Sequence, residues 1–191
     1  MDNNTSCIAF FDFDGTITTK DSFLDFVKFA SGPLRFYAGL LFLLPLLIGM
    51  KLKVVSAQRA KEKFLFHFFK RWSQSQFQQS AQEYSLNQMK EILIPKALEK
   101  IQWHQENNHE VVIVSASLES WLLPWCAKNN LQLIASRLAF QNEQLTAKLD
   151  GLNCNGVEKV NRIKNMYELS NYDLIYAYGN SSGDKEMLAV A

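Results

Sequence analysis

Cys7, Cys126 and Cys154 are the only cysteines among 191 residues. They are odd in number, far apart and without metal-ligand spacing. Neither a disulfide framework nor a cysteine metal site is expected, and reduced thiols of a cytoplasmic protein fit better. Net charge is almost absent: 20 Lys+Arg against 19 Asp+Glu leaves +1. General nucleic-acid binding needs a basic footprint, so that class is excluded. There is no internal repeat and no low-complexity tract. Residues 1–6 are polar and lack the basic-then-apolar order of a secretory signal. The uncharged run Phe36–Met50, as one helix at about 1.5 Å per residue, reaches only roughly 22 Å. That falls short of a hydrocarbon core of about 30 Å, so a simple transmembrane span is not expected.

What is present begins at Ile8. A short apolar run leads into Phe10-Phe11-Asp12-Phe13-Asp14-Gly15-Thr16-Ile17-Thr18. An apolar run that stops at acids and a glycine reads as a buried parallel strand delivering side chains at its carboxyl end. Asp12 and Asp14 lie two apart, so a continuing strand would point both to one face. Adjacent carboxylates repel unless a cation lies between them, and a hard divalent ion such as Mg²⁺ suits that place. The plainer alternative is a strand ending in an Asp-Gly turn.

Further strands are expected at about 110–115, 131–136 and 173–178, after a first at about 7–13. Helices are expected at about 95–108, 117–129 and 157–169. Residues 137–150 read as a hairpin around Gln141-Asn142-Glu143. Alternating β and α at this spacing predicts an α/β fold with a doubly wound parallel sheet. Such sheets bind ligands beyond the carboxyl ends of their strands. Asp12, Asp14, Ser115, Asn180 and Asp184 therefore fall along one edge. Residues 20–90 hold no good strand and much helical character. They read as an α-helical cap inserted into a core made of 1–19 and 91–191.

Four segments in order resemble the motifs of the haloacid dehalogenase superfamily. Asp12-Phe13-Asp14-Gly15-Thr16 resembles the first, DxDGT. Val111-Val112-Ile113-Val114-Ser115 resembles the second, Gly156-Val157-Glu158-Lys159-Val160 the third, and Tyr176 to Asp184 the fourth. The cap position is similar to that of the phosphoserine-phosphatase-like branch. The resemblance implies a Rossmann-like core and a Mg²⁺-dependent phosphomonoester hydrolase. Asp12 would be the nucleophile that forms an aspartyl phosphate. Asp14 would protonate the leaving oxygen and then activate water. Lys159, Ser115, the backbone of Ala116, and Thr16 would meet phosphoryl oxygens. Asp12, the carbonyl of Asp14, Asn180 and Asp184 would form the metal site. Asp21, at the foot of the cap, would contact substrate, and the cap would close over the site.

Each of these residues has a plainer reading. Asp21 or Ser22 can cap the first cap helix, and Ser115 can cap a helix starting near Ser117. Lys159 can be a solvated helix lysine, and Asp184 a first-turn acid of the last helix. One departure is visible. The fourth motif often begins Gly-Asp, and here it is Gly179-Asn180. An amide oxygen binds Mg²⁺ without bringing charge, so weaker metal binding is expected.

Phe36–Met50 is apolar all round, flanked by Arg35 and Lys51. A helix of that kind is buried on every side or meets lipid. The following Lys61–Trp72 stretch mixes Lys and Arg with aromatics, which suits a membrane interface. Three readings stay open for 36–50: a packed cap core, a dimer contact, or peripheral contact with the inner face of a membrane. Relatives with similar caps include soluble phosphometabolite phosphatases and phosphatidylglycerophosphate phosphatases. A phosphotransferase, or a catalytically weak membrane-associated binding protein, would keep the same fold. His104 and His109 read as surface residues of a polar helix end. The last helix, 183–191, has barely two turns, so an uncovered sheet edge is expected.

Overall fold

The computed structural model describes residues 5–191; the expectation for the extreme N-terminus falls partly on residues 1–4, outside the described residues. Five strands form one sheet: β1 (Cys7–Phe11), β2 (Glu110–Leu118), β3 (Gln132–Gln141), β4 (Gln144–Asp150) and β5 (Leu174–Tyr178). Their spatial order is β4-β3-β2-β1-β5. β1 pairs in parallel with β2 and β5, β2 pairs in parallel with β3, and only β4 runs antiparallel.

The alternation along β1 shows why the sheet is covered twice. Ile8 and Phe10 point to one face, with Val112, Val114, Ile163 and Met187. Ala9 and Phe11 point to the other, with Val111, Ile113, Ile101 and Trp121. A strand buried on both faces needs apolar residues at every position, and β1 is buried throughout. One face is covered by α8 (Val157–Met166) and α9 (Lys185–Leu188), the other by α6 (Pro95–Glu106) and α7 (Glu119–Lys128). The expected strands and hairpin are all present, the hairpin's first arm being the end of β3 itself.

Two details differ from expectation. β1 stops at Phe11, and Asp12 and Asp14 lie in the loop beyond it rather than on a continuing strand. β2 runs on to Leu118, with its register to β3 shifting between Ser115 and Leu118, so α7 starts at Glu119 and not at 117. The shift places Ser117 over the site.

Between β1 and β2 lie α1 (Ser22–Ser31), α2 (Pro33–Phe42), α3 (Leu44–Lys51), α4 (Ala57–Phe69) and α5 (Gln74–Glu83). Local chemistry sets their starts. Asp21 accepts from Leu24 N at α1, Ser56 accepts from Arg59 N at α4, and Ser73 with Gln76 closes a capping box at α5. The segment's entry and exit run side by side: Thr19 N donates to Ile92 O, and Ile94 N donates to Ile17 O. The inserted helices share one apolar cluster with the sheet. Phe26 of α1 stacks on Trp121 of α7 at 4.6 Å and meets Phe69, Phe77 and Tyr84 edge-on or tilted.

Residues 36–50 are not one helix. α2 ends at Phe42, Leu43 interrupts, and α3 begins with Leu44-Pro45; the two axes bend by 59°. Proline at the second position of a helix has no bond to break, so Pro45 favours a new start there. Of this pair only Phe36, Gly39 and the linking Leu43 are buried. A packed cap core therefore does not describe it. Among the described residues no single helix is long and apolar enough to cross a membrane.

His104 also departs from expectation: it is fully buried, not a surface residue. It meets His109 through their Nδ1 atoms at 2.8 Å and the Tyr178 hydroxyl through Nε2 at 2.9 Å. Burial, then His109 and Lys100, pull its pKa down to about 4.

Candidate active site

β1 carries Asp12 past the carboxyl edge of the sheet, where Asp12 N donates to Tyr178 O of β5. The chain then turns tightly through Gly15, whose φ of +81° is a conformation that glycine tolerates best. A side chain at Gly15 would also collide with the Asn180 amide, which lies against this turn. The Asn180 side chain is thereby held beside the Asp12–Asp14 loop.

Lys159 lies in the first turn of α8 and is buried at 1 % exposure. Its ammonium donates to Asp12 Oδ1 at 2.6 Å, Asp184 Oδ1 at 2.6 Å and Val114 O at 2.8 Å. All three donors are used. Burial pulls the Lys159 pKa down, but the two carboxylates outweigh it and leave the pKa raised. This is not a solvated helix lysine. Asp12 is pushed up to about 6, chiefly by burial, which the Lys159 charge only partly offsets. Its other oxygen, Oδ2, accepts from Thr16 Oγ1 at 3.2 Å. Asp184 is held below the usual carboxylate range: burial raises it, and bonds from Lys159 and Ser181 more than reverse that. Asp184 Oδ2 accepts from Ser181 Oγ at 2.7 Å and from the amides of Ser181 and Asn180. Asp184 thus fastens the loop that carries Asn180.

Asp14 turns the other way, towards the inserted helices. Its Oδ1 accepts from Ser22 N at 2.7 Å and its Oδ2 from Ser117 Oγ at 2.5 Å. Ser115 is buried, and its Oγ accepts from Ser117 N at 3.0 Å, so it orders the end of β2. Asp21 caps α1 and also lines the cavity that opens above Asp14. Burial, then the Asp14 charge, raises its pKa.

That cavity has a volume of about 270 Å³. Asp14, Ala116, Ser117 and Asn153 line its polar side, and Phe23, Leu24, Phe64, Leu47 and Met50 its apolar side. Lys61 of α4 reaches into it. Its Nζ donates to Ala116 O at 2.5 Å and Asn153 Oδ1 at 2.9 Å, tying α4 to the end of β2. Burial pulls the Lys61 pKa down to about 8, against the opposing pull of Asp21 and Asp14. Sequence reading placed Lys61 with the basic residues of a membrane-facing stretch; it faces the cavity instead. Ser117 and Asn153 were missed as well. The signal for Lys61 was its place three residues before Phe64, the spacing of one helix face.

The groups that could hold a metal are the Asp12 carboxylate, the main-chain oxygen of Asp14 and the Asn180 amide, whereas both oxygens of Asp184, expected in the same site, are engaged by Lys159 and by the loop of Asn180 and Ser181. Among the described residues no three His, Cys, Asp or Glu side chains cluster as a metal site. The oxygen-only donors nonetheless fit a hard cation such as Mg²⁺ better than a soft one.

A five-stranded doubly wound sheet, with carboxylates just beyond β1 and helices inserted after that strand, defines a hydrolase-type α/β core. Residues 9–189 match the model of the haloacid dehalogenase-like hydrolases, and the chain belongs to that family. It is 35% identical over 185 residues to Protein CicA of Caulobacter vibrioides, covering 95% of this chain and 81% of that protein. A protein of unknown function from Bordetella pertussis Tohama I superposes with a TM-score of 0.84 at 19% identity, over 97% of this chain and 86% of the other. A phospho-aspartyl intermediate analogue of phosphoserine phosphatase superposes with a TM-score of 0.70 at 16% identity, over 98% and 84%. The fold is that of the phosphoserine-phosphatase-like branch.

Proposed function

We propose that this chain is a Mg²⁺-dependent phosphomonoester hydrolase working through an aspartyl phosphate. The observation that carries the reading is the buried Lys159 ammonium bridging Asp12 and Asp184 beside the loop that holds Asn180. Asp12 attacks phosphorus, and the bond from phosphorus to the leaving oxygen breaks as Asp14 gives that oxygen a proton. Water then attacks the aspartyl phosphate, giving its proton to Asp14. The Asp12–phosphorus bond breaks and inorganic phosphate leaves. Lys159 balances charge on Asp12 and on the phosphoryl oxygens, with Thr16 and the backbone near Ala116 as further donors. Ser117 and Ser22 N hold Asp14 in place for both proton transfers. Asp12, the Asp14 carbonyl and Asn180 would hold Mg²⁺, which neutralises phosphoryl charge when bound.

The cavity supports a leaving group that is polar next to the phosphate, where Asp21 and Lys61 lie, and apolar further out, where Leu47 and Met50 lie. A lipid-linked phosphomonoester has that order of groups. Asp21 and Lys61 taken alone favour a second reading, a small polar ester such as phosphoserine. Phosphate release from a panel of soluble and detergent-dispersed lipid phosphomonoesters, with and without Mg²⁺, tests both. Mg²⁺-dependent release with the higher kcat/KM on lipid esters is expected. Release only from soluble esters would refute the lipid reading, and no release from any ester the hydrolase reading.

A further inference from the structure

The geometry points to a docking surface on the α2–α3 pair for one partner, an anionic lipid bilayer. The outward side of this pair is apolar to a degree that water-facing helices are not. Leu34 is 88% exposed, Leu41 73%, Phe42 72% and Leu52 69%, and Leu44 and Ile48 stand out beside them. A contiguous exposed apolar patch of this kind marks an interaction site. α2 and α3 measure about 15 Å and about 12 Å at 1.5 Å per residue, too short to cross a core of about 30 Å. Bent by 59° at Leu43, they suit a position lying in the interface plane.

Charge selects the partner. From Phe26 to Lys61 the sequence holds no Asp or Glu, while Lys28, Arg35, Lys51, Lys53, Arg59 and Lys61 are all basic. The whole chain is nearly neutral, so this one-signed segment is a local feature. Lys61 is turned into the cavity, Arg35 donates to Phe68 O, and Arg59 faces Glu62 and the β4 hairpin; Lys28, Lys51 and Lys53 stand beside the apolar helices. Lys28 lies over the Tyr37 ring at 5.5 Å, an aromatic-cation pair of the kind that suits the headgroup level. A second copy of this chain would bring the same cations against themselves, whereas anionic headgroups complement them. α3 serves two surfaces at once. Leu47 and Met50 line the cavity above Asp14, and Leu44 and Ile48 face outward. Docking through α3 thus places the apolar wall of the cavity at the bilayer. The surface goes beyond the hydrolytic reading and does not depend on it, since the readout below is binding.

The test is co-sedimentation of the full chain with phosphatidylcholine vesicles, with and without phosphatidylglycerol. The double variant Leu41→Glu/Ile48→Glu is compared, because both side chains are exposed and outside the catalytic machinery. Wild type should pellet with the anionic vesicles and much less with neutral ones. The double variant should lose at least about tenfold in partition coefficient. It should keep its melting temperature and its turnover of a small soluble phosphate ester. Lys51→Glu/Lys53→Glu should lose about fivefold or more on anionic vesicles alone. Wild type left in the supernatant with every vesicle would overturn the proposal. So would equal binding by the Leu41→Glu/Ile48→Glu variant, which would place the contact elsewhere. A concentration-dependent dimer abolished by that variant, with no vesicle binding, would overturn it too and assign the face to a second copy. Loss of soluble-ester turnover in wild type would bear on the hydrolase reading and leave the vesicle result standing.

Discussion

Lys159 gathers two carboxylates around one buried ammonium, and the consequences of that geometry reach the loop that carries Asn180. Asp184 holds the Asn180 loop through three bonds to its Oδ2, so the backbone that carries the position-180 side chain is fixed by the protein itself. Asn180→Asp should therefore add charge without moving the ligand, and the Mg²⁺ concentration giving half-maximal activity should fall. An unchanged half-saturation point would remove position 180 from the coordination shell. Lys61 is the second residue whose position predicts an effect. Lys61→Met keeps most of the side-chain volume and removes the cation facing Asp21 and Asp14. KM for a substrate with a polar or anionic leaving group should rise about tenfold or more, with a smaller change in kcat, if the ammonium acts in binding. Asp12 and Asp14 were legible because they follow a strongly patterned apolar strand, whereas Lys159 and Asp184 stood out only through the resemblance of their segments to family motifs. Lys61 was not legible, because its spacing to Phe64 is a weak sign of an inward face within Lys61–Trp72, a stretch that mixes cations and aromatics. Ser117 was hidden by the register shift that extends β2.

At the level of elements, the inserted helices and the core are joined through aromatic packing as much as through their two linkers. Phe26 of α1 is fully buried against Trp121 of α7 and Phe69, Phe77 and Tyr84 of the insertion. Phe26→Ala should cost about 3–5 kcal/mol. Because both parts share the cluster, unfolding followed by far-UV and by tryptophan signals should shift together. A variant that loses only part of its helix signal, in a separate early transition, would show an independently folding cap. His104, at the back of β1 and β5, gives an expected pH dependence. In the unfolded chain it takes up a proton near its ordinary pKa of about 6.5, whereas the fold resists protonation down to about 4. The unfolded state therefore binds more protons between these values, and stability is lost as pH falls through them. His104→Gln removes this proton uptake. Its melting temperature should start lower but fall less between about pH 6.5 and 5 than that of wild type; parallel curves would show that His104 does not contribute. His104 escaped sequence reading because its neighbours in α6, Gln102, Gln105 and Glu106, are polar, and only the contact with β5 shows it facing inward.

For the whole molecule, alternation of apolar runs and helical stretches was enough to specify the doubly wound sheet, since a strand covered on both faces permits little but apolar residues. The break between α2 and α3 was harder to read. Leu43, Leu44, Leu46 and Leu47 continue an unbroken hydropathy signal, and only Pro45 hints at a new helix start. The result is a molecule with two chemically distinct sides of one cavity: Asp14, Asp21 and Lys61 on one, and the apolar helix pair, through Leu47 and Met50, on the other. Phosphoryl transfer to Asp12 is the step on which the functional reading depends. It is tested most directly by mixing the protein with a reactive phosphate ester and Mg²⁺, quenching in acid, and sequencing peptides by mass spectrometry. Wild type should carry one phosphoryl group on Asp12, and Asp12→Asn should carry none and lose several orders of magnitude in turnover. A turning-over enzyme whose phosphoryl group lies on another residue, or an Asp12→Asn protein with near-wild-type turnover, would contradict it.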